Sequence, residues 1–545
     1  MAEPKKRILI LGAGVMQGPA IRSAKAMGLL TAVIDGDPKA ALAHEADYFE
    51  VIDLKDIHKI EEFAQKLKAE DGLHGVMTAG TDFSASVAYI AEHLDLPGIP
   101  YETALDASDK ERMRSCFRKA GLPSPAFIVF SETNLAVESI VLPFSFPAVV
   151  KPVDNMGSRG CRRVDTTTNL IKAVETALGF SRSRRVIIEE YMEGPEFSID
   201  AIVYKGEVTI CGLADRHIFF PPYFIEMGHT MPTNIPPEEA EAIIKVFIRG
   251  IKALGIDNGA AKGDIKLTRS GPMIGEIAAR LSGGYMSGWT YPYSSGADPA
   301  KGAICVALGQ KPEGLTPQWN WTSAERAFIS IPGMIHSIEG LDEGHTIPGI
   351  KDIFLRFEPG KRISFPENNV SKAGNVISAA PDRQTAVITA EKAAKNILIR
   401  LSVPDKETEA FLAESIILID QKTANSWLFP PSAYALDQSL LDQLSHILSG
   451  STSPLFSHAT VSLLQFPAFM ESDLRDYAGR SPRETLEAVK KLTGLEFLEQ
   501  PDYSRGTVLG REFWEALIRG GYQGAVYYID KLFKDADLQI PGLKK

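Results

Sequence analysis

The 545-residue chain has little cysteine, and what it has is scattered. Cys116, Cys161, Cys211 and Cys305 include no C-x-x-C pair, so neither a structural zinc site nor a disulfide framework is indicated. Widely spaced free thiols are typical of proteins from reducing compartments. We therefore expect a cytoplasmic protein.

Long apolar runs are also missing. No stretch reaches the roughly 18 apolar residues of a membrane-spanning helix. Near the start, Lys5, Lys6 and Arg7 precede only the short run Ile8–Leu11, which is too short for the core of a signal peptide. The sequence predicts no membrane partner.

The chain lacks an excess of positive charge, since its formal net charge is -11. Nucleic-acid binding usually needs a basic surface, so a nucleic-acid partner is not expected. With 44% hydrophobic and 23% charged residues, the composition is that of a folded globular protein and excludes a fibre or a disordered chain. The length suggests about three or four domains.

Residues 1–105 alternate short apolar strands with amphipathic helices, a pattern that predicts an α/β domain with a doubly wound parallel sheet. Gly12, Gly14 and Gly18 follow the first strand, and Asp35 ends the second. Such a turn can bind a dinucleotide, but the third glycine is one position late for that motif. A tight strand-to-helix turn needs glycine too, so both interpretations stay open.

The pattern of strands and helices divides the rest of the chain into four further segments. Ser108, with Glu111 three residues on, predicts a helix start. We expect a small α+β lobe with this linking helix over residues 106–195, a large lobe over 196–320, a closing subdomain over 321–404, and a mostly helical extension over 405–545. One helix of the extension should begin after Ser481 and end at Gly494.

A predicted hairpin over Lys262–Arg280 carries two acids. If it is centred on Ser270, Asp264 lies opposite Glu276, and like charges there repel unless a cation neutralises them. Strand alternation puts Arg280 on the same face as Glu276. Two carboxylates and a guanidinium suit Mg²⁺ and a phosphate. A surface hairpin with scattered charges is the alternative.

Two further segments suggest nucleotide binding. Lys151 ends an apolar strand and precedes the glycine-rich loop 155–160, which contains Ser158 and Arg159 and could wrap phosphates. The alternative is an exposed turn. Glu189 lies at the end of another strand and could accept a hydrogen bond from an adenine amino group, and Glu196 could bind ribose hydroxyls. The alternative is that both glutamates lie on a solvated linker.

The order of these motifs resembles the ATP-grasp superfamily over residues 7 to 402. The resemblance includes a preceding domain with a glycine-rich turn, which accounts for the early glycines without a dinucleotide. It implies an α/β pre-ATP-grasp domain, then the two lobes of the ATP-grasp fold. By position it implies the following ATP contacts: phosphates at Lys110, Lys151, Ser158 and Arg159, adenine at Glu189 and the Met192 backbone, and ribose at Glu196.

The resemblance further implies that Asp264 and Glu276 bind Mg²⁺, with Mn²⁺ as a substitute. Arg280 would stabilise the transferred phosphoryl group or the substrate carboxylate. One position departs from the pattern, because Ala278 stands where the family commonly has an Asn. One oxygen ligand for a second metal ion is therefore missing, although water could replace it.

The aromatic, proline-rich segment Asp215–Pro232 is predicted to be a loop. It is similar to the substrate loop of ATP-grasp L-amino-acid ligases of the bacilysin dipeptide synthetase type. Glu226 would then hold an ammonium group and His229 a carboxylate or acyl phosphate oxygen. Alternatively the loop is simply buried by its aromatics. Residues 283–289 could line the acceptor pocket or pack in the core.

The resemblance implies an ATP-dependent carboxylate-amine ligase that acts on an amino acid through an acyl phosphate and releases ADP and phosphate. Small carboxylates and amines would be its partners. The alternatives are a carboxyphosphate-forming enzyme, similar to biotin carboxylase or carbamoyl phosphate synthetase, and a non-catalytic ATP-binding protein; an NAD-dependent dehydrogenase ranks last. The tail after residue 404 carries no chemical motif; it could pack on the catalytic body, form a homodimer or bind a partner.

Overall fold

The structure is a computed structural model that describes residues 5–70, 72–132, 140–413, 433–434, 467–470, 472–493 and 511–535. The chain forms two compact units. Unit 1 comprises residues 1–218, 226–325 and 377–387, and unit 2 comprises residues 219–225, 326–376 and 388–545. Each unit is described by itself.

Unit 1 opens with four parallel strands in the order β3-β2-β1-β4: β1 Arg7–Leu11, β2 Leu30–Asp35, β3 Tyr48–Val51 and β4 Gly75–Thr78. The helices of this part are α1 Gly18–Ala26, α2 Ile57–Glu70, α3 Ser84–His93 and α4 Tyr101–Asp106. The predicted parallel α/β sheet is confirmed. Asp35 Oδ2 accepts from the Ala13 N–H at 2.8 Å, so this carboxylate closes the glycine-rich turn itself.

The next part of unit 1 is a small antiparallel sheet in the order β5-β8-β6-β7. Its elements are α5 Lys110–Lys119, β5 Phe127–Ser131, β6 Ala148–Pro152, β7 Arg162–Val164, α6 Thr167–Phe180 and β8 Arg185–Glu190. The helix start was predicted one residue early. Asp109 caps α5 by accepting from the Glu111 and Arg112 N–H groups, because Ser108 donates its hydroxyl to Ala104 O instead.

The large sheet of unit 1 begins with β9 Glu196–Tyr204, β10 Glu207–Phe219, β11 Ile225–Met231, β12 Gly259–Thr268 and β13 Gly271–Ala278. Their order in the sheet is β13-β12-β9-β10-β11. Helix α7, Pro237–Leu254, begins at a proline, ends at Gly255 and packs against β12 and β13. Helices α8, Tyr291–Ser295, and α9, Pro299–Ala307, complete this lobe.

The predicted loop over Asp215–Pro232 is largely strand, which corrects that expectation. Strand β10 runs on to Phe219 because Asp215 and Arg216 stay paired with Phe197 and Glu196 of β9. Only residues 220–224 separate β10 from β11. Glu226 and His229 therefore lie on a strand, which fixes their positions far better than a loop would.

The remaining elements are β14 Thr322–Phe328, β15 Gly333–Glu339, α10 Leu341–Thr346, β16 Ile350–Leu355, β17 Arg362–Ile363, β18 Gly374–Ala380, α11 Arg383–Asn396, β19 Leu398–Leu401, α12 Lys406–Ala413, α13 Pro467–Met470, α14 Pro482–Thr493 and α15 Arg511–Asp535. Strands β14 and β18 follow β11 in the large sheet. In unit 2, β17, β15 and β19 form a separate small sheet.

The described residues of the extension are mostly helical, as predicted. In unit 2, α15 packs against α12 and β19, and the guanidinium of Arg400 on β19 donates two hydrogen bonds, of 2.7 and 2.6 Å, to Asp530. Helix α15 kinks at Gly521, whose φ of 59° favours glycine. A Cβ there would lie 2.8 Å from Asp476 Cβ. The predicted helix end at Gly494 lies outside the described residues.

Two expectations from composition can be checked. All four cysteines lie in the described ranges and are free thiols. Within the same ranges, every helix is too short or too polar to cross a bilayer.

Candidate active site

The two acids of the hairpin lie directly opposite each other. Asp264 on β12 pairs with Glu276 on β13, as the sequence predicted. The predicted centre at Ser270 is slightly wrong, because the hairpin closes with Thr268 opposite Gly271. A one-residue register shift directly after Asp264 compensates for the displaced turn and restores the predicted pairing.

Cationic side chains already surround Asp264. Lys262 forms an ion pair with it, and Arg216 NH1 lies 3.2 Å from its Oδ2. Ser198 on the neighbouring strand donates to Oδ1 at 2.9 Å. Burial raises the pKa of Asp264, but Arg216 and Lys262 outweigh that effect and hold the pKa below its ordinary value. This carboxylate is ionised at neutral pH.

Glu276 is the more accessible acid of the pair. Its side chain is 31% exposed, and Lys110 Nζ lies 3.9 Å from its Oε2. Burial raises the pKa of Glu276, but Lys110, Lys151 and Lys262 outweigh it and leave the pKa lowered. Lys110 also donates to the Asn155 carbonyl at 2.8 Å, so it joins the glycine-rich loop to the acid pair.

Glu189 lies between two cations. Its Oε1 accepts from Arg114 Nε at 2.8 Å, and its Oε2 lies 2.7 Å from Lys151 Nζ. Arg114 also donates to the Gly275 carbonyl at 2.6 Å. Both carboxylate oxygens are thus engaged in a buried network that positions Lys151. The adenine contact expected for Glu189 stays a prediction.

The other predicted nucleotide residues lie around Lys266 of β12. Lys266 Nζ donates to the Met192 carbonyl at 3.1 Å and lies 3.7 Å from Glu196 Oε2. The same ammonium lies 4.9 Å from the centre of the Tyr191 ring. Lys266 therefore lies beside both the Met192 backbone and Glu196, the positions at which the sequence predicts adenine and ribose contacts.

The glycine-rich loop between β6 and β7 is a tight turn with several positive φ values. Gly157, Ser158 and Gly160 have φ values of 69°, 60° and 70°. A turn conformation can direct successive backbone N–H groups toward one side, which would suit an anion. Arg159 donates to the Met156 carbonyl at 3.1 Å within this loop.

Arg216 is a residue that sequence reasoning missed. It lies on β10, and its guanidinium contacts Glu196, Glu226 and Asp264, with Nε donating to Glu226 Oε2 at 2.9 Å. Burial lowers the pKa of Arg216, but the three carboxylates outweigh burial and raise it well above its ordinary value. One buried cation thus links the expected ribose, metal and substrate residues.

Glu226 and His229 share a buried row with a third residue. His229 Nε2 lies 3.6 Å from Glu226 Oε2, and its Nδ1 lies 3.0 Å from Glu325 Oε2. Glu325, on β14, was not singled out from the sequence. Gly284 has a φ of 61°, and a Cβ there would lie 2.8 Å from Glu226 Oε1. Any larger residue at position 284 would therefore clash with the Glu226 carboxylate.

Arg280 lies just past the end of β13 and is 9% exposed. Its NH1 donates to the Leu281 carbonyl at 3.1 Å, while its buried Nε has no hydrogen-bond partner among the described residues. Together with Thr78 and Asn258 it lines a cavity of unit 1. A buried guanidinium nitrogen left without an acceptor is suited to bind an anion.

The aromatic segment after Arg280 packs in the core. Tyr285 and Trp289 are 3% and 7% exposed, and their rings meet edge to face at 5.5 Å. Core packing was one of the two expectations for this segment.

The sequence model of the ATP-grasp domain matches residues 144–288. The chain contains an ATP-grasp domain. The model of the L-amino acid ligase C-terminal domain 2 matches residues 327–402, which follow the large lobe.

The chain is similar to proteins of differing length. It is 27% identical over 343 residues to the uncharacterized protein y4rH of Sinorhizobium fredii, covering 62% of this chain and 70% of that protein. It is 24% identical to carnosine synthase 1 of Gallus gallus, covering 56% of this chain and 36% of that protein. The chain thus spans only about a third of the carnosine synthase it matches.

Among solved structures, the L-amino acid ligase from Bacillus licheniformis superposes with a TM-score of 0.64 at 22% identity, covering 74% of this chain and 100% of that one. This likeness establishes the ATP-grasp fold.

Proposed function

We propose that this chain is an ATP-dependent ligase that joins the carboxylate of an amino acid to an amine and releases ADP and phosphate. The observation that carries the proposal is one network of unit 1. In it Lys110, Lys151 and Lys262 surround the opposed carboxylates Asp264 and Glu276. The matches to the ATP-grasp domain and to the L-amino acid ligase C-terminal domain 2 support it.

The residues present fit a bound Mg²⁺ ion, with Mn²⁺ as a substitute. Asp264 and Glu276 face each other, their lowered pKa values keep both ionised, and Glu276 is partly exposed. Mg²⁺ is commonly held by one or two carboxylates and the phosphates of a nucleotide. Bound there, it would neutralise phosphate charge during transfer.

The reaction has two steps. A carboxylate oxygen of the first substrate attacks the γ-phosphorus of ATP, the bond to the β-γ bridging oxygen breaks, and ADP leaves. The amine nitrogen of the second substrate then attacks the acyl carbon, phosphate departs and the nitrogen loses a proton. Lys110 and Lys151 would neutralise the phosphates, and Arg280 would bind an anionic oxygen of the acyl phosphate.

In this proposal, two buried side chains of β11 recognise the substrate. The Glu226 carboxylate would hold the ammonium group of an amino acid, and the His229 imidazole would contact its carboxylate or the acyl phosphate oxygen. The carnosine synthase and L-amino acid ligase relatives support an amino-acid substrate. The four free thiols support a reducing compartment such as the cytoplasm.

Phosphate release tests this function. Purified full-length protein with Mg²⁺ and ATP is offered amino acids and small carboxylates singly and in pairs, and mass spectrometry identifies any condensed product. Glu276→Gln supplies the background, and Glu193→Gln, at an exposed position, is the matched control. Phosphate release at background level with every pair would contradict the proposal, and turnover stimulated by bicarbonate alone would indicate a carboxyphosphate-forming enzyme instead.

A further inference from the structure

Lys262 lies at the centre of the acid face of the large sheet. On β12 it precedes Asp264 by two residues and therefore points to the same side. It is paired with Asp200 of β9 on one flank and with Ala278 of β13 on the other. Its side chain is 14% exposed, and its ammonium group forms an ion pair with Asp264.

Cationic side chains near the Lys262 ammonium group already neutralise part of the charge of Asp264 and Glu276, so balancing these carboxylates does not require two divalent cations. Asp264 already has Lys262 and Arg216 as neighbours, and Glu276 has Lys110. A divalent ion held by Asp264 on the Lys262 side would meet the ammonium charge at contact distance, where like charges repel strongly.

The oxygen ligands are limited as well. Ala278, directly across from Lys262, offers a methyl group where the resemblance leads one to expect a third oxygen ligand. Nowhere in the ranges that the structure describes do three or more His, Cys, Asp or Glu side chains gather in a way that could hold a metal ion.

We propose that the ammonium group of Lys262 replaces one of two divalent cations, so that the chain binds a single Mg²⁺ with its nucleotide. The inference rests on the proposed function, because it assumes that ATP binds at this face. Asp264 and Glu276 would hold the one ion together with phosphate oxygens. Lys262 would supply a positive charge that is part of the chain and therefore does not depend on the concentration of free metal ion.

Counting bound metal tests this inference without relying on turnover. The full-length protein is saturated with a non-hydrolysable ATP analogue and titrated with Mn²⁺, and the free ion is measured by electron paramagnetic resonance. Nucleotide affinity is measured separately with a fluorescent ATP analogue. We expect one Mn²⁺ per chain in the wild type and in Lys252→Met, an exposed-lysine control.

The double variant Lys262→Met/Ala278→Asn restores an oxygen ligand and removes the ammonium group, so it should bind two Mn²⁺ per chain. Two ions in the wild type, or one in a folded double variant that still binds nucleotide, would overturn the single-metal inference alone. A wild type that binds no nucleotide would overturn the proposed function as well.

Discussion

His229 Nδ1 lies 3.0 Å from Glu325 Oε2, and both side chains are fully buried. The two residues are far apart in sequence and belong to β11 and β14, which are neighbours in the large sheet. A carboxylate in this position can accept a hydrogen bond from the Nδ1–H group and so fix the imidazole tautomer in which Nε2 carries no proton. Glu325 is therefore a positioning residue for His229.

Replacing Glu325 by Gln should lower kcat/KM by roughly 10- to 100-fold, by analogy with the loss of a carboxylate that orients a metal-bound histidine. Rates are measured by phosphate release. Glu325→Asp should recover part of the activity.

The matched control for this experiment is Glu207→Gln, an exposed acid on β10. It should leave the rate unchanged. If Glu325→Gln lowered the rate and Glu325→Asp gave no recovery, Glu325 would have only a structural role.

Glu189 offers a second test, because its two possible roles differ in nucleotide specificity. In the structure it holds Lys151 and Arg114. Glu189→Gln should therefore weaken ATP and GTP binding by the same factor, since Lys151 would contact phosphates common to both. Affinities are measured by fluorescence titration with each nucleotide.

The exposed neighbouring acid provides the control, and Glu190→Gln should bind both nucleotides as the wild type does. A selective loss of ATP over GTP in Glu189→Gln would instead support the adenine contact that the sequence predicted.

Local patterns were enough to predict much of this site. The pairing of Asp264 with Glu276 depends only on one hairpin, and an error in the turn was cancelled by a register shift next to Asp264. The parallel opening sheet and α7 were also recognisable from their hydrophobic spacing and from proline and glycine at their ends.

Long-range partners could not be predicted in this way. Arg216 was hidden because aromatic and proline residues around it suggested a loop, whereas pairing with β9 makes it a strand residue beside Glu196. Glu325 reaches His229 only through the order of strands in the sheet. No regular alternation of apolar and polar residues runs through Arg216, so the sequence holds no clear local signal for either residue.

Arg216 should be important for stability. Arg216→Met removes the cation that Glu196, Glu226 and Asp264 share, and removing one partner from a buried ion-pair network costs about 3–5 kcal/mol. We expect the free energy of unfolding in urea to fall by that order. Arg249→Met, at an exposed position on α7, should change it little. Equal stability of the two variants would show that the acid cluster tolerates the loss.

The raised pKa of Asp200 predicts how the free energy of unfolding depends on pH. Burial raises its pKa from 3.8 to about 6, although Ser282 donates to it and Lys262 is close. Because the folded state binds the proton more tightly, the free energy of unfolding should fall as pH rises from 3.8 to about 6, and a cost of about 3 kcal/mol persists above that.

Asp200→Asn removes this cost, so the melting temperature of the variant should exceed that of the wild type at about pH 8, and should exceed it by less at about pH 5. Asp257→Asn, an exposed control, should show no such dependence. A gain for Asp200→Asn that is the same at both pH values would contradict a raised pKa, because a change in packing alone is independent of pH.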